Sequence, residues 1–401
     1  MRTATISLIL LTVLCSGCCR WNTLEEHIRN RSTEPANAPP PSEFALQLVE
    51  KFPPIDLHAD SLLWNRNLLT ESERGHADLP RWQNGNFALQ VLSTVSEAPL
   101  STSQKIYFGG ADIFWVHCLW NCWPLATFSS RLERTLYQIQ KFDDFRAKSN
   151  QRLVPIRTRT EFVSHMATHA STKAVGAILS VEGAHALENN LQNLPILAHR
   201  GVRILGLVHL TNNAFGASSS AGNPDTGLTP LGKELIVEAT KLGILIDLAH
   251  ASPRTLDEAL VILKSLNAAP LITHTGIQNS ENSNPKNTGA CNNPRNIFPV
   301  HAKKIAEENG IIGIGFFESA VCGTSPDAIA QSISYAIRVV GEKHVALGSD
   351  FDGSVAVPVR ANRIAILVDA MLKAGLSPST IGRVLSQNAE RYFHNSLASS
   401  L

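Results

Sequence analysis

The chain has 401 residues, with 35 Lys and Arg against 34 Asp and Glu, a formal net charge of +1. Near-neutrality excludes a basic nucleic-acid surface and an acidic tail, so no nucleic-acid partner is expected. A hydrophobic share of 44% with 17% charged residues excludes a disordered or coiled-coil chain. The length suits one large domain or two ordinary ones.

In chain order, residues 1–17 read as an export signal. Arg2 is followed by an apolar run over 6–14 that is too short to span a bilayer. The run ends in Leu14-Cys15-Ser16-Gly17-Cys18-Cys19, which resembles the end of a bacterial lipoprotein signal, with the lipid on Cys18. The expected location is the periplasm or the outer membrane, attached by that N-terminal lipid; the alternative is ordinary cleavage and a soluble exported protein. Residues 18–48, closing in Ala38-Pro39-Pro40-Pro41-Ser42, read as a tether or loosely packed arm. Residues 49–395 read as one catalytic unit and 396–401 as a flexible tail. The Ser-rich C-terminus lacks the apolar stretch of a glycolipid-anchor signal.

Within 49–395, β-rich runs recur at 55–59, 88–95, 177–181, 204–208, 244–248, 270–273, 311–317 and 345–348. Amphipathic stretches lie between several of them. The segment 231–242 follows Thr229-Pro230, a helix-start pair, and 300–308 and 360–374 behave similarly. Eight strand-then-helix repeats predict a (β/α)8 TIM barrel. The rival, a doubly wound sheet, calls for a Gly-rich loop after its first strand. Here that strand runs into His58-Ala59-Asp60.

The polar residues fall at the expected strand ends: His58 and Asp60 at the first, Glu182 at the third, His209 at the fourth, His250 at the fifth, His274 at the sixth and Asp350 at the eighth. Barrel enzymes gather chemistry at that end, because strand C-termini converge on one mouth. Residues two apart on a strand face the same way, so His58 and Asp60 are able to grip one metal ion. A buried Glu182 must be paired, coordinated or neutral. Any single histidine here reads equally well as a neutral core residue; five candidate ligands at four strand ends do not. A second His-x-Asp, His76-Ala77-Asp78, lies between Gly75 and Pro80 and reads as loop structure. The aromatic run with Phe114, Trp115, Trp120 and Trp123 reads as packing. Asp247 is a candidate for orienting a histidine. Seven cysteines stand at 15, 18, 19, 118, 122, 291 and 322, and none forms repeated zinc-site pairs. Export permits disulfides, between Cys291 and Cys322 and between Cys118 and Cys122 alike.

Taken together, the segments Asp56-Leu57-His58-Ala59-Asp60, Val181-Glu182-Gly183-Ala184-His185, Leu207-Val208-His209-Leu210-Thr211-Asn212, Ile246-Asp247-Leu248-Ala249-His250, Ile272-Thr273-His274, Pro294-Arg295-Asn296 and Gly348-Ser349-Asp350-Phe351-Asp352-Gly353 resemble the membrane (renal) dipeptidase family of zinc peptidases, over about residues 50–395. The resemblance implies an amidohydrolase-like barrel that splits short dipeptides, L,L and also L,D, through a hydroxide shared by two Zn2+. It implies that His58 and Asp60 hold one zinc, His250 and His274 the other, and that Glu182 bridges. His209 is implied at the scissile-site oxygen, Arg295 at the substrate's terminal carboxylate, and Asp350 as acid/base. It implies a Cys291–Cys322 disulfide and a homodimer.

The chain departs from the mammalian pattern in lacking a cysteine just after His209; a local Cys118–Cys122 pairing is the candidate substitute. The long, Asn-rich segment 279–293 leaves substrate range open. A second reading is therefore an amidohydrolase acting on another small amide, an N-acyl amino acid or a lactam. A third is a non-catalytic zinc-bearing envelope protein.

Overall fold

The computed structural model describes residues 24–35, 37–99, 112–221, 226–279 and 289–400. Nine parallel strands form its sheet: β1 (Ile55–Ala59), β2 (Leu89–Val95), β3 (Leu153–Pro155), β4 (Val175–Glu182), β5 (Val202–Gly206), β6 (Leu245–Asp247), β7 (Leu271–Thr275), β8 (Ile311–Ile314) and β9 (Val345–Leu347). Eight of them close a barrel. β2 pairs with β4 from Leu89↔Gly176 to Val95↔Glu182, and β1 meets β9 at Asp56↔Leu347. The short β3 occupies the start of β4's other edge, ahead of β5. It is too brief to show a period-two pattern, so the sequence does not announce it. Helices between the strands complete the (β/α)8 architecture.

The helices begin where the sequence signals them. Ser130, Thr158, Thr229, Ser252, Ser325 and Ser377 each accept a backbone N–H from the first turn, and Pro follows the cap at 230, 253, 326 and 378. The stretch expected as one helix over 360–374 is split into a 3-10 turn, Ala361–Arg363, and a helix, Ile364–Lys373. The Ala361 amide, which like any first helical amide has no acceptor within the helix, donates to the His76 carbonyl at 3.1 Å.

The lumen is apolar below the mouth. One buried cluster takes Ile55 and Leu57 from β1, Leu89 and Val91 from β2, Ile178 from β4, Ile204 from β5, Leu271 from β7, Ile311 from β8 and Ala346 from β9. Side chains from strands all round the barrel share one cluster only inside it. Tyr392, Phe393 and Leu397 plug the bottom. A larger apolar layer seats the helices on the outside.

Two segments differ from expectation. The described part of 18–48 is packed rather than tethered: residues 24–29 are helical, Glu26 and Asn30 are buried, Ser32 bridges to Val357, and a helix over Glu43–Lys51 crosses the expected boundary at 49. The 396–400 part of the tail is docked, with Leu397 buried and Ala398 and Ser399 carbonyls accepting from Arg159 and Thr160. Long-range hydrogen bonds and an ion pair, which composition does not report, hold them. Among the described residues, no helix is long and apolar enough to cross a membrane.

Candidate metal centre and active site

Two strand irregularities aim the ligand candidates. In β1 the register slips between Asp56 and Ala59, and in β7 between Ile272 and Thr275. Such a bulge resets side-chain alternation. It lets Ile55 and Leu57 line the lumen below while His58 and Asp60 face inward above. Glu182 closes β4 itself, and His209, His250 and Asp350 stand on turns just beyond β5, β6 and β9. His250 and Asp350 adopt left-handed backbone, φ 64° and 60°. Non-glycine residues pay for that conformation, and such strain collects where function demands a fixed side-chain position.

Every sequence-predicted member of the centre is brought to one place, and Glu182 is its hub. Glu182 Oε1 lies 2.9 Å from His250 Nε2, 3.4 Å from His274 Nε2 and 3.6 Å from His58 Nε2; Oε2 lies 3.3 Å from His209 Nε2. His58 Nε2 is also 3.6 Å from Asp60 Oδ1 and 3.9 Å from Asp350 Oδ1. His250 and His274 approach Nε2 to Nε2 at 3.1 Å. All are buried except His209, which is half-buried at the rim.

Burial by itself would lower the pKa of His58, but Asp60, Glu182 and Asp350 outweigh it and raise it to about 10. Burial, reinforced by Asp60, holds Glu182 well above the usual carboxylate range. Burial lowers His209, His250 and His274 well below the ordinary imidazole value, with Arg295 and neighbouring histidines adding to the effect. Three of the imidazoles, His209, His250 and His274, are thus held neutral, while the carboxylates around His58 favour positive charge there. His58 Nε2 and Asp60 Oδ1 are buried and hydrogen-bonded to nothing in the protein. Buried polar atoms without partners are costly, and a cation among imidazoles and carboxylates satisfies them. The donor set fits a metal ion.

What orients the imidazoles was only half legible. Asp247 accepts from the amides of Ala249 and Thr273, each at 3.0 Å, and from the Thr273 hydroxyl at 2.6 Å. Having donated its one proton, Thr273 Oγ1 is left to accept from His274 Nδ1 at 3.0 Å and His58 Nδ1 at 3.3 Å. A proton kept on Nδ1 frees Nε2 to bind metal. Asp247 with His58 and His274 also forms a geometric trio suited to an ion. Its oxygens are already engaged, so we assign it the supporting part. Thr273 is the residue that sequence reasoning missed; a Thr beside a ligand His is the one signal it left.

His76-Ala77-Asp78 is structural, as the sequence suggested. Asp78 caps the helix Leu79–Asn84, and the His76 amide donates to Asp352 at 2.6 Å. Asp352 itself, buried and held by Ser61, Arg66 and His76, is occupied, which leaves Asp350 to face the centre. Burial raises Asp350 to about 8, with Asp60 adding to it and His58 and Arg295 opposing.

Arg295 donates to the His274 carbonyl at 2.8 Å through Nη2, while its buried Nη1 is hydrogen-bonded to nothing in the protein. The Cys291–Cys322 disulfide ties down the turn that carries it. Cys118 is not paired with Cys122; its buried thiol lies 3.6 Å from the Thr127 carbonyl. Where the mammalian pattern has a cysteine after His209, Thr211 donates to Glu97 at 2.6 Å, so a hydrogen bond joins the loops after β2 and β5. In the aromatic run, Phe114 and Trp123 are buried, while Trp115 and Trp120 are exposed. Residues 1–17 with Cys18, and most of 279–293, lie outside the described residues.

The parallel (β/α)8 barrel thus gathers imidazoles and carboxylates that could hold a metal ion at its mouth. Residues 42–399 match the family model of the membrane dipeptidases, peptidase family M19, and the chain belongs to that family. It is 31% identical over 188 residues to an uncharacterized dipeptidase of Schizosaccharomyces pombe, covering 45% of this chain and 42% of that one. A second S. pombe dipeptidase, also uncharacterized, is 25% identical over 227 residues, covering 54% and 52%. The chain thus spans about half the length of the curated relatives it matches. Among solved structures it resembles a Rhodobacter sphaeroides metallopeptidase liganded with a phosphinate mimic of L-Ala-D-Ala (TM-score 0.70, 22% identity, 86% of this chain and 99% of that one). It also resembles a probable dipeptidase from Pseudomonas aeruginosa (TM-score 0.68, 16% identity, 88% and 97%). Those two likenesses establish the fold.

Proposed function

We propose that the protein is a zinc-dependent dipeptidase with a binuclear centre. His58 and Asp60 would hold one ion, His250 and His274 the other, and Glu182 would serve both. The observation that carries this reading is the convergence of three imidazoles on one Glu182 oxygen, with Arg295 and Asp350 beside them. When bound, the ions supply Lewis acidity, which activates water near neutral pH and polarises a carbonyl.

The chain's own groups do the rest. Arg295 Nη1 receives the substrate's C-terminal carboxylate, a charge-assisted contact for which a planar guanidinium is suited. It limits productive substrates to those ending one residue after the scissile bond. His209, at the rim, addresses the carbonyl oxygen where negative charge develops. Asp350 takes the attacking water's proton and delivers it to the leaving amine; its raised pKa suits a group that must hold and release a proton near neutrality. The N-terminal residues 1–19 support export with a lipid on Cys18, which the mass of the mature N-terminus tests. Homodimerisation rests on the family alone, and light scattering tests it.

The deciding experiment is hydrolysis of an L,L and L,D dipeptide panel by metal-loaded, chelated and re-metallated protein. Metal-dependent cleavage of dipeptides but not of their C-terminal amides is expected. Arg295→Ala should raise KM for dipeptides with little change in kcat. Two bound metals without dipeptide cleavage would refute this reading in favour of another small amide, an N-acyl amino acid or a lactam.

A further inference from the structure

Residues 24–35 precede the segment matched by the family model, which begins at 42. They nevertheless reach both loops that carry the first metal-ligand pair and the acid/base carboxylate. Glu26 is fully buried and pairs with Arg66 Nε at 2.8 Å and with Arg74 at 3.6 Å. Arg66 belongs to the loop that follows β1 and the His58–Asp60 pair. It donates to the Ala77 carbonyl at 2.7 Å and to the Asp352 carboxylate. Further along the arm, Asn30 Oδ1 accepts from the Ser354 amide at 3.0 Å. The Arg31 carbonyl accepts from the Val357 amide at 3.2 Å, and the Thr33 amide donates to the Val357 carbonyl at 2.9 Å. His76 Nε2 meets the Arg31 carbonyl at 3.2 Å.

The loop so gripped is a strained one. Asp350, Asp352 and Ser354 all have left-handed backbone, with φ of 60°, 64° and 61°. Side-chain-bearing residues keep that conformation only where surrounding contacts over-determine it. The loop also touches the reacting carboxylate: a Cβ on Gly353 would sit 2.0 Å from Asp350 Oδ1 and 3.1 Å from Asp60 Oδ2. The Gly353 backbone is therefore packed directly against the Asp350 and Asp60 carboxylates, with no room for a side chain between.

We propose that the N-terminal arm is a positioning element of the active site, in which Glu26 and Asn30 hold the Asp350–Ser354 loop in its strained, productive shape. Neither residue touches substrate; both act through Arg66, Asp352 and Ser354. Asn30 supplies the acceptor that fixes the loop directly. Glu26 neutralises the buried Arg66 that clamps Asp352, and without it that guanidinium loses its partner on the arm side. The catalytic part of this proposal rests on the reading of Asp350 given above; the structural part stands without it.

The test uses full-length, metal-loaded protein carrying Glu26→Gln, Asn30→Ala, or both. Hydrogen exchange of peptides spanning 349–357 is measured beside kcat, KM and metal content. Leu263→Ala, in the helix Pro253–Ser265 of the outer layer, serves as a variant destabilised elsewhere. Expected is faster exchange in 349–357, with kcat lower by about tenfold or more and KM near that of the parent, because small misplacements of a reacting group cost that much or more. Metal stays bound, and Leu263→Ala keeps its kcat. Unchanged exchange overturns the proposal. So does retained kcat with faster exchange, or an equal fall in kcat in Leu263→Ala. Should the parent cleave no dipeptide, the dipeptidase reading fails, and exchange alone decides whether the arm holds the loop.

Discussion

Replacing Thr273 with Val keeps the shape of the side chain and removes one hydroxyl from beneath the metal centre. That hydroxyl makes three contacts, to Asp247 at 2.6 Å, His274 at 3.0 Å and His58 at 3.3 Å. The Asp247 contact is charge-assisted and contributes about 1.5–3 kcal/mol, and an imidazole N–H left buried without an acceptor costs about 1–3 kcal/mol. Asp247 retains its two backbone donors, so part of its solvation survives. A net loss of about 2–4 kcal/mol in the stability of the metal-free protein is expected, within the range of large single-site effects. The second consequence is chemical. Without an acceptor at Nδ1, both rings lose their reason to keep the proton there and Nε2 bare. Loss of such a supporting contact typically lowers metal affinity by about 10–100-fold. Competition against a chromophoric chelator measures it, and Thr273→Ser, which restores the hydroxyl, should recover most of the affinity. A Val variant that binds metal as tightly as the parent would refute the assignment of Thr273 as the orienting group.

Asp350→Asn should leave metal content intact and lower kcat by about 10²–10⁴-fold, the usual worth of a general acid/base; loss of metal instead would make Asp350 a ligand. Metal-free protein should lose stability as pH rises. His58 keeps its proton to about 10 when folded against an ordinary 6.5, so its contribution is complete below 6.5 and disappears through 10. Asp350, protonated to about 8 when folded against an ordinary 3.8, adds a fall of the same sign between those values. Thermal melts of chelated and zinc-loaded protein over pH 6 to 10 should diverge, because the cation replaces those protons; parallel curves would contradict the electrostatic description. Reducing the Cys291–Cys322 disulfide, whose cysteines lie 31 residues apart, should cost about 3–4 kcal/mol on the chain-entropy account. It should also raise KM more than it changes kcat, since Arg295 stands on that turn. An unchanged KM in the Cys291→Ser, Cys322→Ser double variant would separate the bridge from substrate binding.

Much of this molecule was legible in one dimension. Apolar runs of strand length, most of them ending in or running into His, Asp or Glu, announce a parallel barrel with its chemistry at one mouth, because a buried strand must be apolar and a strand end is free to be polar. Ser-Pro and Thr-Pro pairs mark helix starts through local hydrogen bonds, which need no distant partner. The family motifs carry the candidate residues by position. Tertiary structure alone decided the rest. The bulges in β1 and β7, which turn His58 and His274 toward the centre, are properties of strand pairing and leave no trace in either strand's own pattern. Thr273 acquires its part only when β6 pairs with β7 and closure of the barrel brings His58 of β1 within reach, and Asp352 differs from Asp350 only by what surrounds it. The arm reads as Pro-flanked polar chain, yet it is anchored by Glu26, whose partner Arg66 is 40 residues away in sequence and in contact only after the barrel has closed. Composition and local pattern report what a residue can do beside its chain neighbours. Which groups share one buried, charged volume depends on closure of the sheet, and that determines where this protein holds its metal and its protons.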